Sequence, residues 1–103
     1  MIARIWRASA TARGAEQYRE HFAGQVLPQL REVDGFLGAS LLERATAELT
    51  EIEVITRWES LDRVREFAGD DISVSVVEPA ARAVLAHSDG FVTHHRVSVE
   101  WPP

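Results

Sequence analysis

Cysteine, lysine and asparagine are all absent from this chain of 103 residues. Without cysteine there is no disulfide, thiolate nucleophile, iron–sulfur ligation or cysteine-rich zinc site. Without lysine the 11 cationic side chains are all arginine, which excludes Schiff-base chemistry on lysine. The joint loss of lysine and asparagine fits a coding bias towards GC-rich codons. No basic block occurs, and a formal net charge of -5 argues against nucleic acid and anionic membranes as main partners. No stretch approaches the ~20 apolar residues of a transmembrane helix. Arg4 and Arg7 interrupt the first apolar run, so no signal-peptide core can be drawn and a cytoplasmic protein is expected. Glycine-rich phosphate loops, metal-ligand motifs and nucleophile elbows are missing as well.

What remains is ordinary globular composition, 46% hydrophobic, in a length that suits one domain over residues 1–103. A chain this short buries a modest core, so a partner subunit would supply further burial. Ile2 to Ser9 alternates as a strand. Tyr18, Phe22, Val26, Leu30 and Val33 form the apolar stripe of a helix spanning residues 15–33. Pro28 lies inside that stripe, which predicts a kink or two abutting helices. Asp34-Gly35 is a turn, and strands follow over 36–44 and about 50–58, close enough to form a hairpin. Ser60 is an N-cap for a helix whose buried face is Leu61, Val64 and Phe67 or Ala68, with Gly69 at its end. Residues 70–77 are ambiguous, because Ile72, Val74 and Val76 alternate between helix signals. Glu78-Pro79 opens a helix to about Ala86, Asp89-Gly90 reads as a turn, and Phe91 to Val99 as a strand.

The order strand, helix, strand, strand, helix, strand is the split βαβ pattern of an α+β fold. It implies a four-stranded antiparallel sheet with helices on one face. Apolar residues occupy both parities of the second strand (Phe36 and Leu42; Leu37 and Leu41), so the other sheet face also needs a cover. A homodimer pairing two sheets face to face is the physical expectation.

Trp58 ends the third strand beside a helix N-terminus, where pockets often open. It reads either as core filler or as a wall that stacks on a flat ligand. Trp6 has the same two readings, as does Tyr18, although Tyr18 belongs to the helix stripe. His94 and His95 are strand neighbours whose side chains point to opposite faces, so they cannot chelate one metal as a simple pair. For His94 the alternatives are a hydrogen-bonded structural residue, a general base, a ligand contact or a haem ligand. His21 and His87 read as surface residues. Arg4, Arg57 and Arg96 lie in strands, where a charge needs a partner. Glu51 and Glu53 offer pairing with Arg57, while a substrate carboxylate or phenolate is the sharper alternative for these arginines.

Together these residues resemble the antibiotic biosynthesis monooxygenase family over nearly the whole chain. The resemblance rests on Arg4-Ile5-Trp6, Tyr18, Pro28 before Asp34-Gly35-Phe36, and Arg44. It continues through Arg57-Trp58-Glu59-Ser60, Phe67-Ala68-Gly69, Glu78-Pro79, and His94 before Val97. It implies a ferredoxin-like subunit whose sheets close a dimeric α/β barrel, with a ligand cavity between sheet and helices. It also implies a short helix or loop over 70–77. Family members include cofactor-independent oxygenases acting on aromatic polyketides or quinols, and enzymes that break haem. The haem-breaking branch resembles an Asn-Trp-His set, of which only Trp58 carries over, since asparagine is absent and Ala68 stands near the helical histidine's place.

The function this implies is a small-molecule-binding homodimer acting as a cofactor-independent monooxygenase on a flat phenolic or quinol substrate. Its alternatives are a non-catalytic dimeric binding or stress-associated protein, and a haem binder. In the first, His94 and Trp58 are the catalytic candidates. Trp6, Arg4, Tyr18, Phe67 and Arg96 are the substrate-binding ones, and no cofactor or metal is expected.

Overall fold

The computed structural model describes residues 1–103. The alternation from Ile2 builds strand β1 (Ile2–Ala10), with Arg4, Trp6, Ala8 and Ala10 on its buried side. Thr11 caps α1 (Ala12–His21), its hydroxyl accepting from the Gly14 amide at 3.0 Å. Gly14 must be small, because a Cβ there would stand 2.3 Å from the carbonyl oxygen of Val84. Pro28 has no backbone donor, and its ring would press on the carbonyl of Gly24 in a regular helix. A wider π-helical turn over Phe22–Val26 relieves this, with the Leu27 amide reaching back to the Phe22 carbonyl. The short helix α2 (Leu27–Leu30) follows. The expected break thus takes the form of two helices joined through a π turn.

β2 (Phe36–Ala45) and β3 (Thr50–Trp58) form the expected antiparallel hairpin. Ser60 caps α3 (Leu61–Ala68), accepting from the Arg63 amide, and Gly69 ends it at φ 83°. Residues 70–77 form a loop whose one ladder contact is an isolated bridge between Val74 and Phe91, as the family resemblance implies. The alternation of Ile72, Val74 and Val76 does not become a strand. The chain closes with α4 (Pro79–Arg82), β4 (His87–Ser88) and β5 (Thr93–Arg96).

The last third corrects three readings. The helix expected to reach Ala86 stops at Arg82, because the Ala86 amide bonds to the Ser9 carbonyl at 2.8 Å and β4 pairs with β1. Asp89-Gly90 is no chain reversal, since β4 and β5 both run antiparallel to β1. Between the pairs Ala8–Ser88 and Ile5–Thr93, β1 advances three residues and its neighbour five, so the edge strand bulges by two. The strand expected over 91–99 accordingly shrinks to Thr93–Arg96. The bulge pairs with the 70–77 loop instead: the Val92 amide donates to Ser73 and the Ser75 amide to Gly90.

The sheet order is β2-β3-β1, with β4 and β5 sharing the free edge of β1. With the helices on one face, this is the ferredoxin-like α+β fold. Trp58, Leu30 and Val64 are its most deeply buried large side chains. On the opposite sheet face, Arg7 lies opposite Glu53 and Arg44 opposite Glu51, and each pair forms an ion pair. Arg57 meets Glu100 at 3.7 Å and Ser40 at 3.4 Å rather than Glu51 or Glu53. Register explains this. Residues four and six apart on one strand are ~13 and ~20 Å apart, whereas cross-strand partners touch. No helix is long and apolar enough to cross a membrane.

Candidate functional site

Two narrow cavities, each about 50 Å³, lie side by side between the sheet and the helices. Trp6, Tyr18, Val26, Phe67 and Val76 form walls of both. The π turn helps to shape them, since Phe22 and Val26, at its two ends, both reach the first cavity. Trp6 is fixed by its indole N–H, which donates to the Asp89 carbonyl at 3.1 Å, so the edge bulge sets its orientation. Its ring lies 5.6 Å from that of Tyr18. Burial, and secondarily the charge of Glu78, push the Tyr18 hydroxyl well above the ordinary phenol range and keep it protonated.

Arg4 supplies the charge. Its side chain lines the first cavity and the residue is 5% exposed, yet none of the ion pairs includes it. Its guanidinium donates to the carbonyls of Ile72 (2.6 Å) and Val74 (3.1 Å) and meets His94 Nε2 at 3.0 Å. A guanidinium carries five donors, so two are left without a protein acceptor. Its carbon lies 6.0 Å from the centroid of Phe67, within cation–π range. Burial without a counter-charge pushes its pKa down to about 10, so it remains cationic at neutral pH.

His94 stands behind Arg4, outside the cavity linings. Because arginine only donates, Nε2 of His94 accepts, and the imidazole is neutral there. Burial, then the charges of Arg4 and His95, hold its pKa below the ordinary 6.5. Between that lowered value and 6.5 the unfolded chain binds the extra proton and the folded chain does not. Stability is therefore greatest above pH 6.5 and falls as pH drops through the window. We expect urea midpoints measured at pH 7.5 and 5.5 to fall more for wild type than for His94→Gln. Equal losses would show that His94 does not carry the effect.

The remaining candidates separate. Trp58 is fully buried and lines neither cavity. It stacks behind Phe67 at 5.8 Å, meets the edge of Phe36 at 5.4 Å, and donates to the Thr56 hydroxyl at 2.9 Å. It supports the wall rather than forming it. Arg96 is exposed at the outer edge of the sheet, opposite Ile2, and stays outside both cavities. His95 points to the other face and bonds Thr93. His21, read as a surface residue, is half-buried and lines the second cavity, with Nε2 buried and unpartnered. Its place one helical turn beyond Tyr18 was the available signal. A larger hollow of about 640 Å³ lies elsewhere, among Arg7, Glu53, Arg44 and Glu51. It is open to solvent, and these four charges already pair with one another.

Residues 1–78 match the family model for antibiotic biosynthesis monooxygenase. No curated protein matches the chain in sequence. Among solved structures, the fold is similar to a MhuD variant holding two manganese protoporphyrin IX molecules per active site. That match has a TM-score of 0.69 and 19% identity, and covers 100% of both chains. It is also similar to a Bacillus cereus protein assigned to the antibiotic biosynthesis monooxygenases (0.68, 14% identity, 99% of this chain and 97% of that one). A third is the ActVA-Orf6 monooxygenase of Streptomyces coelicolor in complex with nanaomycin D (0.64, 18% identity, 99% and 91%). At such identities these likenesses establish the fold alone. The family match spans most of the chain, α1 to α3 and the Arg4–Trp6–Tyr18–Phe67 cluster included, and the protein therefore belongs to the antibiotic biosynthesis monooxygenase family.

Proposed function

We propose that the protein binds a flat phenolic or quinol molecule between sheet and helices and oxygenates it with dioxygen, without an organic cofactor, as a homodimer. The observation that carries this is Arg4: a buried cation in an aromatic slot, with no acidic partner and two unused donors. Such a group favours an anionic oxygen over a neutral one. In this reading Trp6, Tyr18 and Phe67 hold the ring, and Trp58 keeps Phe67 in place. As Arg4 turns towards the ligand, His94 exchanges a guanidinium donor for the phenol proton. The phenolate, stabilised by Arg4, then reduces dioxygen itself in a dry cavity. One oxygen atom enters the ring carbon that loses hydrogen, the other leaves as water, and the phenol becomes a quinone. The cavities are far below the ~300–1,000 Å³ of ordinary ligand pockets, so entry requires the 70–77 loop to move with Val76.

The second subunit is supported by the bare sheet face, where Ile5 and Ile55 lie opposite one another and Leu42 is exposed. Haem ligation through His94 or His95 does not fit the residues present. His94 Nε2 is already engaged by a cation, His95 lies on the other face, and α3 carries Ala68 where a histidine would be needed. A second reading, binding without turnover, is favoured by one fact: the His94 lone pair is occupied.

An oxygen electrode decides between them. With a panel of naphthols and hydroquinones, wild type is expected to consume oxygen and incorporate one labelled atom from ¹⁸O₂ into the product. Tight phenol binding with no uptake would select the non-catalytic reading. Neither binding nor uptake would defeat both.

A further inference from the structure

The two cavities share their aromatic walls but differ in charge. Arg4 lines only the first, and His21, Gln29 and Glu78 line only the second. Nε2 of His21 is buried with no hydrogen-bond partner in the protein. A buried polar atom left unpaired is rare and costly, and so needs an explanation. The negative charge of Glu78 also reaches this end, where it adds to the burial of Tyr18 in holding its hydroxyl protonated. The slot is thus cationic at one end and negative at the other, which opposes an anion beside His21 and orients any ligand that carries one.

On the reading that Arg4 receives a phenolate, we infer that His21 is a second anchoring residue and takes a neutral hydroxyl at the far end of the ligand. A hydroxyl answers the geometry whichever tautomer His21 adopts, because it both donates and accepts. A carboxylate would meet Glu78, and an apolar terminus would leave Nε2 unpaired. The ligand class is therefore a planar diol, ionised at one oxygen and neutral at the other, with its polarity fixed by the protein. Aromatic molecules with a single hydroxyl bind by the Arg4 end alone.

The test compares 1-naphthol with 1,5- and 2,6-dihydroxynaphthalene, titrated under nitrogen and followed by tryptophan fluorescence. In wild type the better diol is expected to bind about tenfold more tightly than the monohydroxy compound, the effect of one added hydrogen bond. In His21→Phe that advantage should vanish, with the diol losing about tenfold more affinity than 1-naphthol does, and His21→Gln should restore part of it. Equal affinity for diols and 1-naphthol in wild type would overturn the role of His21 and leave the Arg4 site standing. So would an equal loss for every ligand in His21→Phe, with thermal melts showing both variants folded. Failure of all three compounds to bind wild type would remove the site itself, and this inference with it.

Discussion

Trp58→Ala is expected to lose about 3–5 kcal/mol of stability, the range for truncating a buried tryptophan. Trp58 is fully buried, packed between Phe36 and Phe67, and its indole N–H is bonded to Thr56. Against a total of ~5–15 kcal/mol for a domain, that loss brings the protein close to unfolding. The melting temperature should fall by roughly 12–40 °C in thermal denaturation. Trp58→Phe keeps most of the apolar contact and strands only the Thr56 hydroxyl, so it should fold with a much smaller loss. The pair separates support from chemistry. If Trp58 only holds Phe67 in place, Trp58→Phe keeps phenol affinity and oxygen uptake within a few fold of wild type. A variant as stable as wild type that had lost all turnover would return Trp58 to the reacting groups.

That Trp58 faces the helices was legible from its parity with Ile52, Val54 and Thr56. Its depth was not. Depth depends on Phe36 and Phe67, which come from other elements and close over the indole only once the chain has folded. The α3 boundaries were legible because a serine cap and a terminal glycine act within one turn. The second strand was harder. Phe36 and Leu42 share numerical parity, yet the register shift between Phe36 and Gly38 puts Phe36 opposite Trp58 and Leu42 opposite Glu53, on different faces. Gly38 inside the strand is the one local sign of that bulge, whereas the two-residue bulge after Ser88 arises from pairing with β1, far away in sequence. At the site, Arg4 shares parity with Trp6, so its inward position could be read. The absence of any carboxylate near it could not, since that is a statement about every other element in the fold.

Arg4→Met should separate binding from folding more sharply than any other substitution. Two effects oppose each other in stability. Removing the guanidinium abolishes the cost of burying an uncompensated charge, which by itself stabilises. It also strips the Ile72 and Val74 carbonyls of their donor. Those carbonyls belong to a loop in which Val74 is 42% exposed, so water can replace the lost bonds at modest cost. Urea denaturation should therefore show a net change within about 1 kcal/mol. The loop should nevertheless loosen, with faster hydrogen exchange at the Ser75 and Val92 amides that tie it to the edge bulge. Binding changes far more. Charge-assisted hydrogen bonds contribute about 1.5–3 kcal/mol each, so losing two predicts a fall in phenolate affinity of roughly 100-fold or more. Arg4→Lys, which keeps the charge but not the planar fork, should fall between the two. If Arg4→Met bound 1-naphthol as tightly as wild type, the guanidinium would be no more than a latch on the 70–77 loop, and the anion site would have to lie elsewhere.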